Sequence, residues 1–175
     1  MYTYMDLLSI LGIGGAHPGG IKATDIMLGG EPINQQTVIL DAGCGTGQTS
    51  AYLSSRYGAQ VVALDNHPIM AEKARQRFST LSLPVQVIES SLENMPLATG
   101  SVDYCLSESV LSFADFSPSV NEIHRVLKSN GVLYAIDYRW TSRTRGKACD
   151  WVFLWIQANV DRREMEGSIP SCGVP

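Results

Sequence analysis

The strongest constraint on this chain is the stretch VILDAGCGTGQTS, residues 38–50, where a hydrophobic run ends in an acid and passes into glycines at alternate positions, Gly43, Gly45 and Gly47. Glycine has no Cβ and takes positive φ at little cost, so such a loop lets a bulky group lie against the main chain. The run before it has strand length. The segment QTSAYLSSRYG after it has helical spacing, with Tyr52 and Leu53 inward and Gly58 as the closing C′ residue. A strand, a glycine loop and a helix in that order make a cofactor the first ligand to consider.

The pattern repeats along the chain. AQVVALD, residues 59–65, reads as a second strand, and HPIMAEKARQRFSTL after it as a helix that begins near Pro68 and keeps Ile69, Met70, Ala74 and Phe78 in helical register. PVQVIES (84–90), SVDYCLSES (101–109) and GVLYAIDY (131–138) supply three more strands. PSVNEIHRVLKSNG is an amphipathic helix between the last two, with Asn130-Gly131 as the turn into the fifth. Strands alternating with helices predict an α/β fold: a doubly wound, mainly parallel sheet with helices on both faces and ligands at the carboxyl ends of the strands.

A length of 175 residues, 45% apolar and 17% charged, suits one folded domain. Its expected parts are an N-terminal cap over 1–36 with a short helix near 21–28, a cofactor-binding core over 37–140, and a C-terminal helix and loose tail over 141–175. DWVFLWIQANV is expected to form that helix, with Asp150 as N-cap and Trp151, Phe153, Leu154, Trp155 and Ile156 on a wide apolar face that is buried in the core or covers the pocket.

The formal net charge of −4 gives no footprint for nucleic acid, the basic residues being scattered except around RWTSRTRGK, residues 139–147. Cys44, Cys105, Cys149 and Cys172 form no CxxC and keep company with only three histidines, so neither a disulfide framework nor a metal site is expected. No apolar run reaches the ~20 residues of a membrane span, and the N-terminus lacks the basic flank of a signal peptide. The expectation is a cytoplasmic protein without a membrane partner.

The GxGxG spacing differs from the GxGxxG of nicotinamide-binding loops, and Asp41 at the end of the first strand would repel a pyrophosphate but welcome a cationic ligand. Asp65 ends the second strand 22 residues beyond Gly43, near the ~20 expected of a carboxylate that accepts from ribose hydroxyls. Together they describe a nucleoside with a cationic, amino-acid-like extension. Here the residues converge on a family: VILDAGCGTGQTS followed by VVALDNHPIM, SLENMPLATGSVDYCLSESVL and EIHRVLKSNGVLYAID resembles the class I S-adenosylmethionine-dependent methyltransferases from about Thr37 to Tyr138.

The resemblance implies a Rossmann-like methyltransferase fold and S-adenosyl-L-methionine as cofactor. It places Asp41, Gly43 and Gly45 along the methionine part, with Cys44 and Gly47 in the same loop, and makes Asp65 the ribose acceptor. Asn66 and Met70 would lie near the adenine, Ser91 and Leu92 at its edge, and Ser107 would set a carbonyl near the α-amino group. Ser91 stands where many members carry an acid, and Ser129-Asn130-Gly131 where many have Pro-Gly-Gly. Members usually continue past the fifth strand with two further strands, whereas none of the 37 residues past Tyr138 reads as a strand pair. A fifth strand left on an edge would invite a homodimer, or mark a segment missing from the sheet.

Methyl transfer from a sulfonium needs alignment and exclusion of water more than covalent help, so few catalytic groups are required. His17 in GGAHPGG is a candidate base, and Glu108 and Tyr138, with Arg139 and Trp140, fall at strand ends where an acceptor would sit. His67 and His124 read as local structure, and Cys44 lacks a base partner for nucleophilic chemistry. The expected activity is methyl transfer to a small-molecule acceptor. The alternatives are a non-catalytic or truncated cofactor-binding module and, disfavoured by GxGxG and Asp41, a nicotinamide oxidoreductase.

Overall fold

A computed structural model describes residues 19–140 and 149–157, with side chains over 19–137. Chain order gives α1 (Gly20–Leu28), β1 (Val38–Ala42), α2 (Gln48–Tyr57), β2 (Gln60–Asp65), α3 (Pro68–Thr80), β3 (Gln86–Glu89), β4 (Val102–Glu108), α4 (Phe116–Val126), β5 (Leu127–Trp140) and β6 (Cys149–Gln157). The six strands form one sheet in the order β3-β2-β1-β4-β5-β6. β1 to β5 run parallel and β6 runs antiparallel to β5. The order reverses between β1 and β4, which is the switch point where doubly wound sheets hold ligands.

Both faces of the sheet are covered, so its central strands are near-continuous apolar runs. On one face Ile39, Val61 and Leu106 pack with Leu28 of α1 and Leu53 of α2, and Ala63 packs with Ala74 and Phe78 of α3. On the other face Leu40, Leu64, Cys105 and Leu133 pack with Ile123 and Val126 of α4 and with Leu92 and Met95 of the segment after β3. The alternation follows from the two-residue period of a strand. Gly58 ends α2 with φ +65° and its N–H on the Ser54 carbonyl at 3.0 Å, as expected of a C′ glycine.

Three expectations need correction. Residues 149–157 are a strand, not a helix: DWVFLWIQ is rich in aromatic and β-branched residues, and β5 offers it an edge of unpaired backbone groups. Asp150 therefore pairs with Arg139 rather than capping a helix, and Tyr138 pairs with Trp151. The edge expected to be left open by the fifth strand is thereby filled, which removes the reason given for a dimer. Last, β5 begins at Leu127, where Leu127 pairs with Val102 before the register slips and resumes at Val132 opposite Tyr104. Ser129-Asn130-Gly131 lies in that irregularity, and Lys128 uses it to reach Asp103 at 2.8 Å.

Among the described residues no helix is long and apolar enough to cross a membrane. The tail beyond 157, residues 1–18 and most of RWTSRTRGK lie outside the described residues.

Candidate functional site

The glycine loop connects β1 to α2 at the switch point. Gly43, Gly45 and Gly47 all have positive φ, at +85°, +53° and +76°. The three serve different neighbours. A Cβ on Gly43 would stand 2.3 Å from Cγ2 of Val110, in the loop after β4, and one on Gly47 would stand 2.5 Å from the Phe78 ring of α3. A Cβ on Gly45 would meet nothing within 4 Å. Two of the glycines are thus demanded by the protein's own packing, and Gly45 is the one whose missing side chain leaves open space for a ligand.

Three carboxylates stand at the same carboxyl edge of the sheet, and one of them, Asp65, contacts the loop at Gly45. Asp41 of β1 is in register with Ala63 of β2 and Leu106 of β4. Asp65 and Glu108 lie two residues further along those flanking strands, so all three acids project from the same face of the sheet at its carboxyl edge. Asp41 is 2% exposed and accepts a hydrogen bond from the Ser50 hydroxyl at 2.5 Å. Glu108 accepts from Thr24 of α1 at 2.6 Å and from Thr49 of α2 at 2.7 Å. Asp65 accepts from the Gly45 N–H at 2.8 Å and the His67 N–H at 2.9 Å.

Burial, and next the negative charge of Glu108, push the Asp41 carboxyl up to about 7 against the hydrogen bond from Ser50. Asp65 is also raised, chiefly by burial, with its two backbone N–H partners opposing. A positive charge brought near these groups would favour the ionised form of both. Each Asp65 oxygen retains a second lone-pair direction, so it can accept a hydroxyl while keeping its loop bond.

The remaining sequence candidates fall around the same loop. Asn66 is exposed beside Asp65, Met70 is buried in the first turn of α3, and Ser91 is half-buried before the buried Leu92. Ser107 is fully buried next to Glu108, on the opposite face of β4, and its hydroxyl has no partner among the described residues. Cys44 is buried, its thiol raised well above the ordinary range first by burial and then by Asp41. That thiol is no nucleophile at neutral pH. Of the three catalytic candidates, Glu108 is placed and is tied to two threonines, Tyr138 is described only as backbone of β5, and His17 lies outside the described residues. Among the described residues no group of three His, Cys, Asp or Glu is disposed to hold a metal ion.

Sequence reasoning missed the hydroxyls that hold the acids. Thr49 and Ser50 open α2 directly after the loop, and that position was a usable signal. Thr24 is 84 residues from Glu108, and no local pattern links them. It also missed how the cap is fastened to the sheet face. Tyr52 donates to Asp25 of α1 at 2.5 Å, and Glu31 accepts from Tyr104 at 2.8 Å and from Tyr134.

Residues 40–135 match the family model described as a methyltransferase domain. The chain is 43% identical over 137 residues to an uncharacterised methyltransferase, YodH, of Bacillus subtilis, covering 78% of this chain and 58% of that one. It is 38% identical over 105 residues to a malonyl-acyl-carrier-protein O-methyltransferase of Dechloromonas aromatica, covering 59% of this chain and 37% of that protein. A solved structure of geranyl diphosphate C-methyltransferase from Streptomyces coelicolor, in complex with S-adenosyl-L-homocysteine, superposes with a TM-score of 0.65 at 21% identity, over 72% of this chain and 49% of that one. The chain spans a little over half the length of the first of these relatives and less of the second. With the parallel sheet, the glycine loop and the strand-end acids in place, the family model covers more than half of the sequence, and the chain belongs to the class I S-adenosylmethionine-dependent methyltransferase family.

Proposed function

We propose that this chain binds S-adenosyl-L-methionine at the carboxyl ends of β1, β2 and β4 and serves methyl transfer to a small-molecule or carrier-bound acceptor. The observation that carries the reading is the conjunction of open space at Gly45, held by Asp65, with three carboxylates on one face of the sheet at its carboxyl edge. A dinucleotide would bring phosphates to that face, against Asp41 and Glu108. A sulfonium and an ammonium suit it.

When bound, the cofactor supplies a methyl group already activated on a sulfonium. The chain's own residues then bind and orient. Asp65 accepts from the ribose hydroxyls, and Gly43, Gly45 and their neighbours Cys44 and Gly47 present main chain to the methionine part. Asp41 balances the positive charge. Asn66, Met70, Ser91 and Leu92 border the adenine, and Ser107 offers its carbonyl to the amino group. Glu108, His17 and Tyr138 are the groups from which a base would be drawn, should the acceptor need to lose a proton. The relative that acts on a malonyl-acyl carrier supports an acceptor carried as a thioester, beside free small molecules.

Calorimetric titration with S-adenosylmethionine and with S-adenosylhomocysteine tests the reading. Micromolar binding of either is expected, followed by turnover in a screen of carboxylic and acyl-carrier-bound acceptors. A folded chain that binds neither overturns the cofactor assignment. Binding without turnover on any acceptor moves the chain to a cofactor-binding module.

A further inference from the structure

The glycine loop has to keep one shape although two of its residues, Gly45 and Gly47, have left-handed φ on either side of Thr46. Glycines in that region have wide conformational freedom, so the peptide groups of Thr46 can swing unless something outside the loop fixes them. The Gly45 N–H is fixed by Asp65 at 2.8 Å and the Gly47 N–H by the Cys44 carbonyl at 2.9 Å. The Thr46 carbonyl is fixed from behind. Arg77, in the last turn of α3, donates its Nε–H to that oxygen at 2.7 Å, and its Nη2 lies 3.4 Å from the Thr46 hydroxyl. Thr46 is buried. Ala74 and Phe78 of the same helix close on Gly47, at 3.1 Å and 2.5 Å from where its Cβ would be.

We propose that Arg77 is a positioning residue for the cofactor loop: its guanidinium holds the Thr46 carbonyl and so sets the loop in the conformation that leaves space over Gly45. This rests on the reading of the loop as the cofactor site. The bond is charge-assisted and short, which makes it stronger than a neutral pair. Lysine shares the charge but lacks the fixed planar donor fork, so it can reach the carbonyl yet not reproduce the guanidinium's orientation. Arg75, two residues away, serves as the contrast. It pairs with Glu72 at 3.5 Å and Glu89 at 3.9 Å on the solvent side, and none of its described bonds reaches the loop.

The test compares Arg77→Ala, Arg77→Lys, Thr46→Val and Arg75→Ala with the parent chain, by calorimetric titration with S-adenosylmethionine and by amide hydrogen exchange. Arg77→Ala is expected to weaken cofactor binding about tenfold, as befits loss of one charge-assisted bond. It should speed exchange at Gly45, Thr46 and Gly47 while the amides of β1 and β4 keep their protection. Arg77→Lys should recover part of the affinity. Arg75→Ala should stay within about twofold of the parent, and Thr46→Val, which removes only the longer contact, should weaken binding less than Arg77→Ala.

Unchanged affinity in Arg77→Ala with unchanged loop exchange overturns the proposal. So does faster exchange throughout β1 and β4, which would make Arg77 a general prop of the fold. If the parent chain fails to take the cofactor, the proposed function falls, and the exchange comparison still decides whether Arg77 holds the loop.

Discussion

The two ends of the sheet treat their carboxylates in opposite ways. At the amino end, Asp103 takes Lys128 on both oxygens at 2.8 Å together with the Val38 N–H at 2.9 Å. Glu122 nearby takes Arg125 at 2.6 and 2.7 Å together with the Met95 N–H at 2.9 Å, and its carboxyl is held below the usual range, chiefly by the bond from Arg125. At the carboxyl end, Asp41, Asp65 and Glu108 are held by hydroxyls and backbone N–H groups, and the first two are raised instead. The amino end is electrostatically settled, as a structural end should be. The carboxyl end retains a cost that a cationic ligand can relieve, and that asymmetry points to where function lies.

The largest expected effect comes from removing that cost. Burial, and next the charge of Glu108, push the Asp41 carboxyl in the folded chain from the ordinary 3.8 up to about 7. The folded state therefore binds the extra proton between those values, and stability falls as pH rises from about 4 to about 7. Above 7 the whole penalty is present. A shift of about three pH units corresponds to ~4 kcal/mol as an upper bound. Asp41→Asn keeps the shape and can still accept from Ser50, so it should be more stable than the parent in urea at pH 8, by up to that amount. The gain should vanish below about pH 4, and cofactor binding should weaken. A variant less stable than the parent at pH 8 would show that this end is settled too.

The second prediction separates packing from ligand space within the loop. Gly47→Ala would place a methyl against Phe78 at a left-handed φ, which combines backbone strain of ~1–2 kcal/mol with overpacking of a similar size. A loss of ~3 kcal/mol is expected in chemical denaturation. Gly45→Ala meets nothing, so only the strain of ~1–2 kcal/mol applies. Its main consequence should be lost cofactor affinity. Equal stability losses at the two positions would mean that Gly45 is not open.

How much of this was legible in the sequence follows from the same geometry. A parallel sheet brings the ends of β1, β2 and β4 together, so acids read at strand ends, Asp41, Asp65 and Glu108, converge without any knowledge of side-chain contacts. The glycine spacing located the loop, yet could not say that Gly43 answers to Val110 and Gly47 to Phe78, because those neighbours lie far along the chain. Residues 149–157 were misread because an unbroken apolar run has no period to separate helix from strand. The decision belonged to the edge of β5, which is not local. No local pattern links Arg77 to Thr46, 31 residues before it, and only the fold brings the two together.

At the amino end the expected effects are smaller. Arg125 carries more than its ion pair, since it also donates to the carbonyls of Leu97 at 2.8 Å and Met95 at 3.1 Å and so holds the segment before β4. Arg125→Met should cost ~2 kcal/mol, discounted because the side chain is about one-third exposed. Urea unfolding should show the loss at pH 7, with cofactor affinity unchanged.

The smallest effect should come from Lys128→Met. The Lys128 side chain is 42% exposed and that of Asp103 29%, so solvent screens the pair, and Asp103 keeps the Val38 N–H when the ammonium is gone. The expected loss is ~0.5 kcal/mol at low ionic strength, and less in high salt, where exposed pairs are screened further. The informative quantity is its salt dependence. Asp41→Asn acts at a carboxyl only 2% exposed, where added salt screens far less. Measuring both variants at pH 8 in low and in high salt therefore tests the contrast between the ends directly: the loss at Lys128 should shrink as salt rises, and the gain at Asp41 should persist.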